Sequence, residues 1–233
     1  MARKYDQFDS PRLAATRFVA QRGLLKAVVW SNTRVRVLGR ENLKDLDGAF
    51  IVVANHSSHL DAPLIMGSLP RPLARYLASG AAADYFFDVK WRRHVTALFF
   101  NTFPVDRTGS RTRPGMSKTL LERGVPLLIF PEGSRSKTGE MGTFKPGAAA
   151  LSITTGRPCV PVALIDANKA MPRGRNWPVA GRKPVGVVYG KPMTAAPGES
   201  AEAFSARLAA EVSRLHATGN AVNRSTLAQK GHR

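Results

Sequence analysis

Cysteine is almost missing from this chain. Cys159 stands alone among 233 residues, which excludes an intramolecular disulfide framework and suits a reducing compartment. Acidic residues are scarce too: 16 Asp and Glu face 35 Lys and Arg, for a net charge of +19. A fold does not need such an excess, and self-repulsion makes it costly, so an anionic partner is expected: nucleic acid, an anionic membrane surface or a phosphate-bearing substrate. Long apolar runs are lacking as well. None approaches the ~18 to 20 residues of a membrane span, and the opening MARKYDQFDS has no compact apolar region of the signal-peptide kind. The expectation is a protein that does not cross a bilayer but can lie on one, peripherally, at the cytoplasmic face of the cell membrane. The sparse interleaving of aromatic residues and the want of a zinc-finger or RNA-recognition motif argue against nucleic acid as the partner.

What is present is enough for one globular domain, since 43% of the residues are hydrophobic. Short β-rich runs recur at 34–39, 49–55, 74–79, 103–107, 125–132, 159–165 and 185–190, between helical or turn-rich segments. That rhythm predicts an α/β fold. IVVA and PLLIF are apolar at consecutive positions, as in strands covered on both faces, so the central sheet of about seven strands should be largely parallel and flanked by helices. Helices are expected at 113–124 and 146–156, each with proline first and glycine last, and at 201–217, where Phe204, Leu208, Val212 and Leu215 form one stripe. Residues 34–217 would form this domain, and 218–233 a loosely ordered basic tail.

Residues 1–33 read as a basic amphipathic helical segment. On a 100° wheel Leu13, Ala14, Phe18, Leu24, Leu25, Val28 and Val29 share one arc, Arg12, Arg22 and Lys26 lie opposite, and Arg17 interrupts the apolar side. The arc fits an interfacial helix on an anionic leaflet and equally a helix packed on its own domain. A second basic stretch, 168–184, interleaves Arg173, Arg175, Arg182 and Lys183 with Trp177 and could sit at the headgroup level or be a solvated connection.

The segment ANHSSHLDAPLI, 54–65, places His56, His59 and Asp61 within six positions. On an unbroken helix His56 and Asp61 would point about 140° apart. However, IVVAN reads as a strand, and Ala62 before Pro63 favours a helix that begins near Pro63. His56 would then sit in the loop leaving a strand, where the chain can fold back onto Asp61. A carboxylate on one imidazole nitrogen fixes the tautomer and frees the other nitrogen to accept a proton from a hydroxyl. Asp61 could instead serve only as a helix cap, and a metal site would need a ligand beyond the local set. Further along, an apolar strand runs into Glu132, Gly133, Ser134 and Arg135, with Lys145 following, a turn suited to anion binding. FPVDR places Arg107 after another short strand. Ser57, Ser58 and Ser134 lack the Gly-x-Ser-x-Gly context of a nucleophile, and Cys159 reads as a small core residue.

In order and spacing, NHSSHLD, FPVDR, FPEGSRS and VPVAL resemble the four sequence blocks of the glycerolipid acyltransferase family, of which lysophosphatidate acyltransferases are the best-known members. The resemblance covers roughly residues 34–190. It implies a dyad of His56 and Asp61, with His56 as general base toward an acceptor hydroxyl that attacks the thioester of acyl-CoA or acyl-ACP, without an acyl-enzyme. It implies an acceptor-phosphate region of Arg107, Glu132, Gly133 and Arg135, and an acyl-donor side to which Pro161 belongs. Ser134 is included with that turn, and Lys145 is added from charge and position. No metal or cofactor is implied beyond the acyl thioester co-substrate. The expected reaction forms phosphatidate from lysophosphatidate in phospholipid biosynthesis, with sn-2 selectivity resting on the resemblance alone. Glycerol 3-phosphate or another lysophospholipid could serve as acceptor in the same chemistry. A noncatalytic membrane- or nucleic-acid-binding protein and a metal-dependent hydrolase are the readings from other classes.

Overall fold

The computed structural model describes residues 6–82, 99–105 and 115–230. The chain begins with α1 (Asp6–Asp9), α2 (Pro11–Val19) and, after a π-helical stretch at Ala20–Leu25, α3 (Lys26–Asn32). There follow β1 (Arg34–Leu38), β2 (Ile51–Ala54), α4 (Asp61–Ser68), α5 (Arg71–Ala74), β3 (Ala78–Ala82) and β4 (Phe103–Val105). The second half holds α6 (Met116–Glu122), β5 (Leu127–Ile129), α7 (Gly147–Thr155), β6 (Cys159–Ile165), α8 (Ala167–Ala170), β7 (Pro184–Tyr189) and α9 (Ala201–Lys230).

The strands lie in the order β1-β7-β6-β2-β5-β3-β4. Every pairing is parallel except β6 with β7. Six strands form the continuous sheet, and the three-residue β4 joins only the outer half of β3, at Gly80–Ala82. Because β2, β5 and β6 run the same way, the loops leaving them emerge at one edge, the usual place for a ligand in an open α/β sheet. β2 and β5 are direct neighbours, with Val53 opposite Ile129, so the loops that follow them must meet.

Both faces of the sheet are covered, as the unbroken apolar runs of β2 and β5 require. Ile51, Val53 and Leu127 pack with α6, α7 and α9 through Leu120, Ala149, Phe204, Leu208 and Val212. Val52, Ala54 and Leu128 pack on the other side with Leu64, Ile65 and Met66 of α4 and Val29 of α3.

Four expectations change. Residues 74–77 are not strand: α5 ends at Ala74, and the strand is Ala78–Ala82. The helix after the His56 loop begins at Asp61, two residues before Pro63. The helix expected to stop at 217 continues to Lys230, so residues 218–230 are helical. Gly219 lies within it. It lets the helix run close over the sheet, where an added Cβ would overlap Ile165 and Val188. Finally, only part of the N-terminal apolar arc is covered by the domain: Ala14 and Val29 are buried, polar Arg17 and Gln21 are buried beside them, and Leu13 and Leu24 stay exposed. Arg17 can be buried because its guanidinium donates to the carbonyls of Gln7 (2.8 Å) and Phe8 (3.4 Å).

Gly219→Ala should therefore destabilise the fold by about 1–3 kcal/mol through overpacking. Gly23→Ala, where a Cβ would meet nothing within 4 Å, should leave stability unchanged or raise it by up to about 1 kcal/mol. Urea midpoints of the two variants provide the comparison.

Candidate active site

Beyond Ala54 the main chain leaves the sheet, and the Asn55 side chain takes over the ladder. Its Nδ2 donates to the Leu164 carbonyl (3.0 Å), and its Oδ1 accepts the Leu164 N–H (2.8 Å). This amide bridge sets where the next residue, His56, begins its turn. The His56 N–H donates to Glu132 Oε1 at 2.6 Å, and its carbonyl accepts the Ser136 N–H at 2.8 Å. Phe130 stacks on the imidazole, with centroids 4.0 Å apart and planes 16° apart. The histidine is thus held at its backbone by one loop and at its ring face by the strand end that feeds that loop.

The chain then folds back. Asp61, whose side chain is 0% exposed, places Oδ2 at 2.8 Å from His56 Nδ1, and the imidazole retains 20% exposure. The same oxygen accepts the N–H groups of Ser57 (2.7 Å) and Ser58 (2.8 Å). These donors precede Asp61, so its carboxylate closes the loop behind it and does not cap the helix ahead. Nδ1–H directed at the carboxylate leaves Nε2 with the basic lone pair.

Glu132 braces the neighbouring loop. Its Oε1 receives the His56 N–H, and its Oε2 receives that of Gly142 at 2.9 Å. Burial raises its pKa, and the two backbone donors oppose that rise. Gly133 adopts φ +76, and Lys145 Nζ lies 3.2 Å from the position a Cβ would take there. A side chain at 133 would be strained and would also crowd the lysine ammonium away from the turn. Ser134 is exposed and Arg135 half-buried. The peptide joining Arg135 to Ser136 works in both directions: its N–H holds the His56 carbonyl, and its C=O accepts Arg173 Nη1 at 3.3 Å.

The structure thus joins His56, Asp61 and Glu132 directly and gathers Gly133, Arg135 and Lys145 around the adjoining turn. Arg107 lies outside the described residues. Pro161 stands within β6 opposite Val53, and its carbonyl accepts the Gly190 N–H at 2.9 Å. It is three residues before Leu164, the partner of Asn55, and so sits deeper in the sheet than the loop edge. Among the described residues no group of three or more His, Cys, Asp or Glu is placed to share a metal ion.

Sequence reasoning passed over Asn55, Phe130, Ser136 and the placement of Arg173 beside Arg135. Ser58, set aside as a nucleophile in favour of a turn or hydrogen-bonding role, has its buried hydroxyl donating to the Met171 carbonyl at 2.8 Å, a partner the sequence does not name. Asn55, a polar residue ending an apolar strand, carried a readable signal. Contacts made by backbone N–H groups carried none.

His59 is half-buried, and its pKa is lowered by burial first, then by Arg135 and His56. Its folded value therefore lies below the ordinary 6.5. Stability from this group is complete above about pH 6.5 and is lost as pH falls through the depressed value, because the unfolded chain takes up the proton first. His59→Gln should flatten that part of the acid limb, visible as a smaller drop in the urea midpoint between pH 7.5 and pH 5.

The sequence model of the family described as Acyltransferase matches residues 34–165. The chain is 32% identical over 144 residues to a 1-acyl-sn-glycerol-3-phosphate acyltransferase of Chlamydomonas reinhardtii, covering 61% of this chain and 42% of that protein. It is 28% identical over 179 residues to one from Pseudomonas aeruginosa, covering 73% and 63% respectively. It spans only about two fifths of the length of the algal relative. The crystal structure of the 1-acyl-sn-glycerophosphate acyltransferase from Thermotoga maritima superposes with a TM-score of 0.66 at 26% identity, over 93% of this chain and 81% of that one. Since the family match takes in both loops that meet at His56 and the strands that carry them, the chain belongs to the acyltransferase family.

Proposed function

We propose that the protein transfers a fatty acyl group from acyl-CoA or acyl-ACP to the free hydroxyl of lysophosphatidate, forming phosphatidate in phospholipid biosynthesis. The observation that carries this reading is the 2.8 Å contact between His56 Nδ1 and the buried Asp61 carboxylate beside a cationic turn. His56 Nε2 removes the acceptor proton as the hydroxyl oxygen attacks the thioester carbon. The tetrahedral adduct collapses with cleavage of the carbon–sulfur bond, and the imidazolium returns the proton to the departing thiolate. Asp61 holds the tautomer and stabilises the transient imidazolium. General-base assistance of this kind is worth ~10²–10⁴-fold, and holding the two substrates together supplies much of the rest.

Arg135, Lys145 and Arg173 converge on one turn and would receive the acceptor phosphate, with Arg107 joining them by the family resemblance. Ser134 would lie beside them. Gly133 would let the backbone approach, and Glu132 would keep the turn against His56. Pro161 would help shape the acyl-donor side. No cofactor enters beyond the acyl thioester. The names of the relatives support lysophosphatidate as acceptor. The net charge of +19 supports peripheral residence at the cytoplasmic face of the cell membrane, where donor, acceptor and leaflet are all anionic. No helix among the described residues is long and apolar enough to cross a membrane.

His56→Ala should lower kcat for radiolabelled acyl transfer by ~10²-fold or more, with an unchanged circular-dichroism spectrum; an unchanged rate would eliminate the assigned base. Arg173→Ala should raise KM for lysophosphatidate by about 10- to 150-fold, the range of one charge-assisted hydrogen bond, while leaving KM for the acyl thioester in place. Arg173→Lys should restore part of that loss.

A further inference from the structure

Residues 167–183 leave the carboxyl end of β6 and return to the start of β7, at the sheet edge that also carries the His56 and Glu132 loops. No Asp or Glu occurs between Asp166 and Glu199, whereas Lys169, Arg173, Arg175, Arg182 and Lys183 all fall within the first seventeen positions of that interval. At the outer part of the loop, residues 173–177 are all exposed, and Trp177 is 58% exposed. Exposing an indole costs hydration free energy that a buried position would recover, and nothing in the mechanism uses it.

The base of the loop is held firmly. The Met171 carbonyl accepts the buried Ser58 hydroxyl at 2.8 Å, and the Val179 N–H donates to the Ala170 carbonyl at 2.8 Å. Arg173 Nη1 reaches the Arg135 carbonyl at 3.3 Å, and Arg182 Nη2 reaches the Trp30 carbonyl at 3.1 Å. These bonds tie the loop to the His56 loop, the cationic turn and the N-terminal helix. A loop stapled in this way loses little further entropy when its tip meets a partner. Basic side chains around an exposed tryptophan match the headgroup region of an anionic bilayer, where indole is favoured and each cation adds attraction.

We infer that the 173–177 tip is a docking element for an anionic phospholipid surface, seating Trp177 at headgroup depth and bringing the rim of the His56 site against the bilayer. This rests on the proposed lipid acceptor and adds the surface through which that acceptor would enter. Lipid leaving the leaflet beside Trp177 would meet Arg173 and Arg135 first.

The test uses the full chain and vesicles of phosphatidylcholine with or without phosphatidylglycerol. Flotation should show binding to the anionic vesicles that weakens with salt, and little binding to phosphatidylcholine alone. Arg175→Ala should weaken it about five-fold, and Arg175→Ala with Trp177→Ala by more than ten-fold. The blue shift of tryptophan emission on adding vesicles should be markedly smaller in Trp177→Phe, which leaves Trp30 and Trp91. Acyl transfer to a water-soluble short-chain acceptor should be unchanged in the double variant. If the double variant floats like the parent, if neutral vesicles bind equally well, or if Trp177→Phe leaves the blue shift undiminished, the docking element is refuted. Absence of transfer in the parent protein would count against the proposed reaction, while flotation would still judge the loop.

Discussion

A single buried oxygen, Asp61 Oδ2, organises the site by accepting Nδ1 of His56 and the N–H groups of Ser57 and Ser58. A carboxylate that is 0% exposed is costly to bury unless donors surround its charge. Here three donors come from the five residues preceding it and all reach Oδ2, while the buried Oδ1 has no hydrogen-bond partner, so the compensation the charge receives depends on the loop folding back. The loop cannot adopt another shape without stranding the anion, and this fixes the imidazole before any substrate arrives. Preorganisation of this kind lowers the reorganisation needed at the reacting centre.

The loop after β5 complements that arrangement from outside. Glu132 joins His56 and Gly142 through their N–H groups, and Ser136 holds the His56 carbonyl. A carboxylate in a turn otherwise rich in cations would weaken phosphate binding if it faced the ligand. Directed at backbone donors, it instead couples the cationic turn to the His56 loop. The neighbouring positions of β2 and β5 make this coupling possible, since their ends emerge side by side.

Not all of the positive charge faces a ligand. At the far end of α4, Arg22 donates to the Gly67 carbonyl at 2.8 Å and also to that of Leu69, and Arg40 donates to that of Ser68 at 2.8 Å. The buried Tyr189 hydroxyl donates to the Ile65 carbonyl at 3.2 Å. These groups meet the unpaired carbonyls at the helix end and its negative pole. The helix that begins with Asp61 is therefore anchored at its opposite end by arginines from two other elements.

Much of the architecture was legible in the chain. Consecutive apolar residues in IVVA and LLI announced strands covered on both sides, and the closeness of His56, Asp61 and Pro63 to a strand end announced a loop able to bring imidazole and carboxylate together. Those features are local, and backbone sterics with side-chain periodicity determine them. What part of the N-terminal helix's apolar arc would be covered was not legible, because the burial of Arg17 and Gln21 beside Ala14 and Val29 depends on backbone carbonyls brought in by tertiary contacts. The same holds for the helix running past residue 217, where Gly219 is a point of close approach to Ile165 and Val188. Chemistry within one loop was determined by the sequence itself. The bonding of Glu132 to His56 and of Arg173 to Arg135 was decided only by tertiary structure, because backbone donors have no identity in a sequence and their partners lie dozens of residues apart.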